Sequence, residues 1–415
     1  MPTASASTIN RRAKIKDFTG PWDRKGNKIP MADRLYFDWN ATAPLRDEAR
    51  KAVVGALAVT GNASSVHAEG RTARRLIEDA RAHVAALAGA EAKTVTFTSG
   101  ATEANMLALT PAIETAAERR RRDKLFVSAI EHPSVLAGGR FAADAIEQFP
   151  VTPAGIVDLE ALKRAIAGAG QPLVSVMLAN NETGVIQPIR DIASIVHAAN
   201  GVLHVDAVQV PGRIDCDIEA LGADLMTISS HKIGGPQGAG ALIRRGDVHI
   251  AEPLIKGGGQ ERGLRGGTEN VAGIAGFGAA AAVAARQADA AHMAKLRDAL
   301  EAGIQAATPD AVIFGAASPR LPNTSLFAAP GMKAETAIIA FDLNGIAASS
   351  GAACSSGKVQ ASHVLAAMGV APELARGAIR VSLGWNTSEV EVERFVGTWR
   401  KLAESLLKKK RGIAA

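Results

Sequence analysis

Lys232 stands in "ISSHKIGGPQG" (228–238), where an apolar run ends in two serines and a histidine and a glycine-rich turn follows. A lysine at the mouth of a sheet can form a Schiff base with an aldehyde. "VDAVQ" (205–209) puts Asp206 at the end of another apolar run, with Gln209 one short turn on. A buried aspartate needs a cationic partner or good donors. "AIEHPS" (129–134) places His132 after a third run, and "TSGATEAN" (98–105) is a glycine-containing turn that opens a helix. Such a helix start offers free backbone N–H groups to an anion.

Each of these features taken singly is common: capped helix starts abound, and a lone histidine after a strand is more often structural. Together they describe one kind of chemistry. The aspartate can keep a pyridine nitrogen protonated, which turns the ring into an electron sink. The imidazole can stack on that ring, while serine, histidine, threonine and a helix N-terminus can hold a phosphate. This is a pyridoxal phosphate site, and it accounts for Asp206, Lys232, His132 and Thr102 at once.

Cys354 adds a further group, in "SSGAACSSGK" (349–358). Glycine and serine around it supply little packing and much backbone freedom. That favours a mobile thiol, reactive as the thiolate, over a small buried hydrophobe. Cys216, in "GRIDCDIEALGAD", has no partner motif and reads as structural.

The elements that must position these groups alternate along the chain. "KTVTFTSG" (93–100), "KLFVSAI" (124–130), "PLVSVMLAN" (172–180), "GVLHVDA" (201–207) and "DLMTIS" (224–229) are short β-rich runs. Helical patterns lie between them. In "RTARRLIEDARAHVAALAG" (71–89), Leu76, Ile77, Ala80, Val84 and Leu87 share one face. "LEALKRAIAGAG" (159–170) and "DIASIVHAAN" (191–200) repeat the pattern. The fold class is therefore α/β, a mostly parallel sheet with helices on both faces. Ligands in such a sheet gather beyond the carboxyl ends of the strands, where the motifs fall. A Gly-rich connection (257–267) leads to an apolar helix (271–285) and a more charged one (286–305). Beyond about 290 the pattern becomes a smaller α+β region ending in a basic helix (388–411).

Composition excludes other classes. The net charge of +6 is modest for 415 residues, and aromatics make up only 4%. No basic element carries stacking aromatics, so nucleic-acid binding is not expected. The basic run "ERRRRDK" (118–124) reads as a solvated helix end and turn. No stretch suits a membrane span. Two cysteines make no disulfide framework and fit a reducing, cytoplasmic setting. Residues 1–33 form a polar tail with Arg11, Arg12, Lys14 and Lys16 before the first acid. A disordered basic tail, or a start at Met31, is favoured over a transit peptide.

The motifs "TSGATE", "LANNETG" (178–184), "HVDAVQ" and "SSHK" resemble those of the cysteine desulfurases related to class V aminotransferases. "GGGQERGLRGGTENVAGI" (257–274) and "SSGAACSSG" narrow the likeness to the NifS/IscS branch, over the span from "YFDWNATAP" (36–44) to "AIRVSLGWNTS" (378–388). The resemblance implies a type I pyridoxal-phosphate transferase fold. Its large domain (45–290) would hold a mostly parallel seven-stranded sheet, and 34–44 with 291–415 would form a small α+β domain carrying the cysteine.

It also implies roles. Lys232 would form the Schiff base, Asp206 would hold the pyridine nitrogen and Gln209 would touch the phenolic oxygen. Asn181 would lie near cofactor and substrate, and His132 would stack on the ring. Ala101, Thr102, Ser229 and His231 would hold the phosphate, with Thr268 reaching the phosphate of the other subunit in a homodimer. Arg380 would pair with the substrate carboxylate, a task suited to its bidentate fork. Cys354 would accept sulfur from L-cysteine as a persulfide and deliver it to an iron–sulfur scaffold or sulfur-relay protein, leaving alanine. The long segment before Arg380 favours cysteine over selenocysteine as substrate. The chain stops at "LLKKKRGIAA" without the extended tail of the housekeeping IscS type, which leans towards a NifS-like type. The competing reaction is that of an aminotransferase, a selenocysteine lyase or another β-lyase, none of which needs a persulfide relay.

Overall fold

Seven short strands build the main sheet of the computed structural model, which describes residues 34–115, 121–286, 290–351 and 362–411, with side chains as far as Leu407 in the last segment. They are β1 (Val95–Thr98), β2 (Leu125–Ser128), β3 (Ile146–Phe149), β4 (Leu173–Met177), β5 (Val202–Asp206), β6 (Leu225–Ser229) and β7 (Gly240–Arg244). Their order across the sheet is β1-β7-β6-β5-β4-β2-β3. Neighbours pair in parallel except around β7, which runs antiparallel to both β1 and β6. The carboxyl ends of β1, β2, β4, β5 and β6 therefore share one edge.

Every residue of those five strands is buried. A sheet covered on both faces needs continuous apolar runs rather than alternation, which is why these segments stand out in the sequence. Helices Ala68–Leu87, Leu159–Ile166, Ile189–Ala198 and Val271–Ala284 share one core with Val174, Leu203, Val205, Met226 and Ile228. The opposite face, through Leu125, Val127, Leu173, Val202 and Leu225, packs on helix Ala101–Ala108. Ile77, Ala80, Val84 and Leu87 are buried as their spacing predicts, with Leu76 half-buried at the edge. The small-residue helix Val271–Ala284 lies so close to Ala68–Leu87 that a Cβ on Gly278 would stand 2.4 Å from the Ala80 Cα.

A second sheet follows, of β8 (Val312–Ile313), β9 (Thr324–Ala328), β10 (Ser349–Ser350) and β11 (Ile379–Ser382) in the order β8-β9-β11-β10, all antiparallel. Its own core joins Phe327, Phe341, Phe395 and Trp399 from this sheet and the helices Ala334–Leu343 and Glu389–Arg411. The short strand Leu35–Tyr36 pairs with Ile346–Ala347, beside that second sheet.

Among the described elements that carry no sequence signal strong enough to be expected are β3, β7 and helix Asp47–Leu57. The first two are four or five residues long and mixed or glycine-led, so neither makes a long apolar run. In the basic run, whose residues 118–120 lie outside the described residues, Arg121 is exposed as expected but Arg122 is not. Arg122 is buried, with Nε on the Ile113 carbonyl and Nη1 on the Asn200 carbonyl, both at 3.3 Å. Its guanidinium satisfies backbone oxygens at the ends of elements instead of facing solvent. Among the described residues, no helix is long and apolar enough to cross a membrane.

Candidate active site

Beyond the shared carboxyl edge lies a cavity of about 570 Å³. Ala101, Thr102, His132, Asn181, Asp206, Gln209, Ser229, His231, Lys232 and Arg380 all line it. Among the described residues singled out for the site, one does not. Thr268 is exposed and absent from the lining, and Cys354 lies outside the described residues.

Lys232 leaves β6 through the short turn Ser230–Lys232. Its Nζ donates to the carbonyls of Asn40 at 2.5 Å and Ala41 at 2.9 Å. Asp206 is the last residue of β5 and is buried. Its Oδ2 accepts from Asn105 Nδ2 at 3.0 Å and its Oδ1 from the Val208 N–H at 3.1 Å. Both donors are neutral, so a cationic ring nitrogen would complete the partners of this buried carboxyl.

His132 caps the short helix Pro133–Leu136 and accepts from the Ser134 N–H at 3.2 Å on Nδ1, which also lies 2.8 Å from Ser134 Oγ. Burial pushes its pKa below the usual range. The Lys232 charge adds to this, and Asp206 opposes it. Burial thus favours the uncharged ring, which could lie against an aromatic face. Gln209 is fixed at both ends of its amide: Oε1 accepts from Arg213 Nη1 at 2.7 Å and Nε2 donates to the Asn40 carbonyl at 3.1 Å. Arg213 is buried, and that burial, with repulsion from Arg380, lowers its pKa to about 9.

The anion end is built by backbone. Helix Ala101–Ala108 starts at Gly100, and β7 passes against that turn at Gly240. A Cβ there would come within 2.6 Å of the Gly100 carbonyl carbon and 2.9 Å of the Ala101 nitrogen. Only glycine permits the approach. His231 Nδ1 lies 3.2 Å from Thr42 Oγ1. Burial, with the neighbouring Lys232 charge, lowers its pKa to about 4. At the other end, Arg380 of β11 donates to Asp38 Oδ1 at 2.8 Å and to the Asn181 carbonyl at 3.0 Å.

Asp38, Asn40, Asn105, Ser134 and Arg213 were not singled out in the sequence. Asn105 carries a usable signal, because it stands one helical turn from Ala101 and Thr102. Asp38 and Asn40 lie in "YFDWNATAP" (36–44), where the resemblance begins, but follow none of the β-rich runs of the main sheet.

A lysine, a buried aspartate, an imidazole and a glycine-shaped helix start are groups that could hold a phosphorylated pyridine aldehyde. With the sheet order, this is the type I pyridoxal-phosphate fold. The family profile described as aminotransferase class-V matches residues 35–395. A cysteine desulfurase of Cereibacter sphaeroides is 40% identical over 380 residues, 90% of this chain and 97% of that protein. The X-ray structure of a NifS-like protein from Rickettsia africae ESF-5 matches with a TM-score of 0.79 at 36% identity, covering 89% of this chain and 99% of that one. A structure of SspA in complex with cysteine matches at 0.71 and 28% identity, covering 85% and 100%. The chain belongs to the class V aminotransferase family and, within it, to the cysteine desulfurases, a family that depends on pyridoxal 5'-phosphate and acts on L-cysteine.

Proposed function

We propose that this protein converts L-cysteine to L-alanine and takes the sulfur onto Cys354 as a persulfide. The observation that supports it is the meeting of Lys232, Asp206, His132 and Arg380 in one cavity, from four separate parts of the chain. The cavity would hold pyridoxal 5'-phosphate: Lys232 at the aldehyde, Asp206 at the ring nitrogen, Gln209 at the phenolic oxygen and His132 on the ring face. Ala101, Thr102, Ser229 and His231 would hold the phosphate, and Thr268 would reach the phosphate in the partner of a homodimer. When bound, the cofactor supplies an aldehyde for Schiff-base exchange and an electron sink for the substrate's Cα.

The chain's own residues then have defined tasks. Arg380 binds the substrate carboxylate through its planar fork, beside Asn181. The Lys232 amine takes the proton from Cα and returns protons as the product forms. Asp206 keeps the proton on the ring nitrogen. The Cys354 thiolate attacks the substrate sulfur, so an S–S bond forms as the substrate's C–S bond breaks. L-cysteine and a protein thiol become L-alanine and a protein persulfide, and the exchange balances without an added oxidant. The persulfide would then pass to an iron–sulfur scaffold or sulfur-relay protein. The same reading assigns residues 45–290 to a cofactor-binding domain, and 34–44 with 291–415 to a smaller one carrying Cys354.

The test is alanine and sulfide release from L-cysteine, with and without reductant, for the wild type and Cys354→Ala. Loss of alanine in the variant, with persulfide found on Cys354 of the wild type, is the expected result. Equal release of alanine or pyruvate by both proteins would reject the relay and leave a β-lyase or aminotransferase chemistry.

A further inference from the structure

Glu182 is a buried carboxyl one residue past Asn181, outside the cavity lining. Its backbone N–H is fixed by Asn180 Oδ1 at 2.9 Å. Its Oε2 accepts a hydrogen bond of 2.5 Å from Ser362 Oγ. Ser362 caps the helix His363–Ala367, its Oγ accepting from the Leu365 N–H at 3.0 Å. The next residue, His363, reaches the Glu131 carbonyl through Nε2 at 2.9 Å, directly before His132.

Gly351 approaches the same carboxyl from the other direction, since a Cβ built on it would lie 2.9 Å from Glu182 Oε2. Gly351 and Ser362 bracket residues 352–361, the stretch that contains Cys354. One flank of that stretch is thus hydrogen-bonded to the carboxylate, 180 positions from Ser362 in the chain, and the other passes so near that a side chain on Gly351 would crowd it. A buried carboxyl is costly unless its contacts repay it, and nothing in the reaction proposed above uses this one.

We propose that Glu182 is a positioning residue for sulfur transfer: it anchors the Ser362 flank of the Cys354-bearing stretch, close to the Gly351 flank and beside Asn181 and Arg380, and so sets where the thiol can reach. This rests on Cys354 being the sulfur acceptor. The tie responds to pH. Burial raises the Glu182 pKa to about 7, against the lowering pull of the Ser362 hydrogen bond and the Arg380 charge. Arg380 on β11 is the charged group that acts on it, and His363 is turned to the Glu131 carbonyl. Above that pH the carboxylate accepts a charge-assisted bond from Ser362, stronger than the bond to the neutral acid. The Ser362 flank is held more firmly as pH rises through about 7.

The experiment uses cofactor-loaded wild type, Glu182→Gln and Ser362→Ala. Two readouts are followed in a single turnover with L-cysteine across pH 6 to 9: the cofactor's absorbance change on mixing, and persulfide on Cys354 by mass spectrometry. The absorbance change should be alike in all three proteins. Persulfide formation should slow about tenfold in Ser362→Ala, the effect of losing one charge-assisted hydrogen bond. Glu182→Gln should lose the inflection near pH 7 and keep only that of the thiol. Persulfide formation in both variants at the wild-type rate and with the wild-type pH profile would overturn the proposal. Equal slowing of both readouts would overturn it too, by showing general damage to the site. A wild type that releases alanine without any persulfide on Cys354 would overturn the functional reading and this proposal with it.

Discussion

Asn105 donates a hydrogen bond to the Asp206 carboxylate at 3.0 Å, and the same Nδ2 lies 2.9 Å from Ser134 Oγ, which is 2.8 Å from His132 Nδ1. One fully buried amide therefore links the helix Ala101–Ala108, the aspartate of β5 and the histidine after β2.

Asn105→Ala removes a donor from a buried carboxylate, a loss of about 1–3 kcal/mol. The variant should hold pyridoxal 5'-phosphate about tenfold more weakly, as read by absorbance titration of the stripped protein. Affinity equal to wild type would show that the bond does not orient Asp206.

Arg380 is already aimed by Asp38 and the Asn181 carbonyl before substrate arrives. Arg380→Lys keeps the charge and loses the planar fork. Initial rates should show the KM for L-cysteine raised about 10- to 100-fold, with a smaller fall in kcat, because the lost bonds serve binding more than the chemical step. A fall in kcat alone would place Arg380 elsewhere in the mechanism.

His204 is fully buried on β5, between Ser175 Oγ at 2.8 Å and Thr227 Oγ1 at 3.0 Å on the strands either side. Burial lowers its pKa to about 4, a shift that Asp206 only partly opposes. The unfolded chain takes up this proton near pH 6.5 and the folded chain does not. The stability contributed is therefore complete above that pH and is lost as pH falls towards 4. Urea unfolding should show the advantage of wild type over His204→Gln shrinking by about 2–3 kcal/mol from pH 7.5 to 4.5. His231, also depressed, is common to both proteins and cancels. A constant difference would mean that His204 gains its proton as easily folded as unfolded.

Cys216 is buried, donates through Sγ to the Leu87 carbonyl at 3.3 Å, and has its pKa pushed up to about 12 by burial, with Asp215 and Asp217 adding to it. Native Cys354→Ala protein should take up no iodoacetamide at pH 7.5 over minutes and one equivalent after denaturation. Rapid labelling of the native variant would disprove the structural assignment of Cys216.

What the amino-acid order determined by itself was local: five buried strands, the polar or glycine-rich turns that end them, and the helices between. A continuous apolar run closed by such a turn reports burial and chain reversal within a few residues, so Lys232, Asp206, His132 and Thr102 were legible from their own neighbourhoods. Tertiary structure alone decided what lies beyond that range. It set β7 between β1 and β6, which brings Gly240 against Gly100 and shapes the anion cradle. It joined Asp38 to Arg380 across 342 positions and Glu182 to Ser362 across 180. It also buried Arg122, which its charged neighbours had marked for solvent. Periodicity and turn chemistry are carried by adjacent residues. The partner that satisfies a buried polar group is chosen by packing, which can bring together residues from any part of the chain.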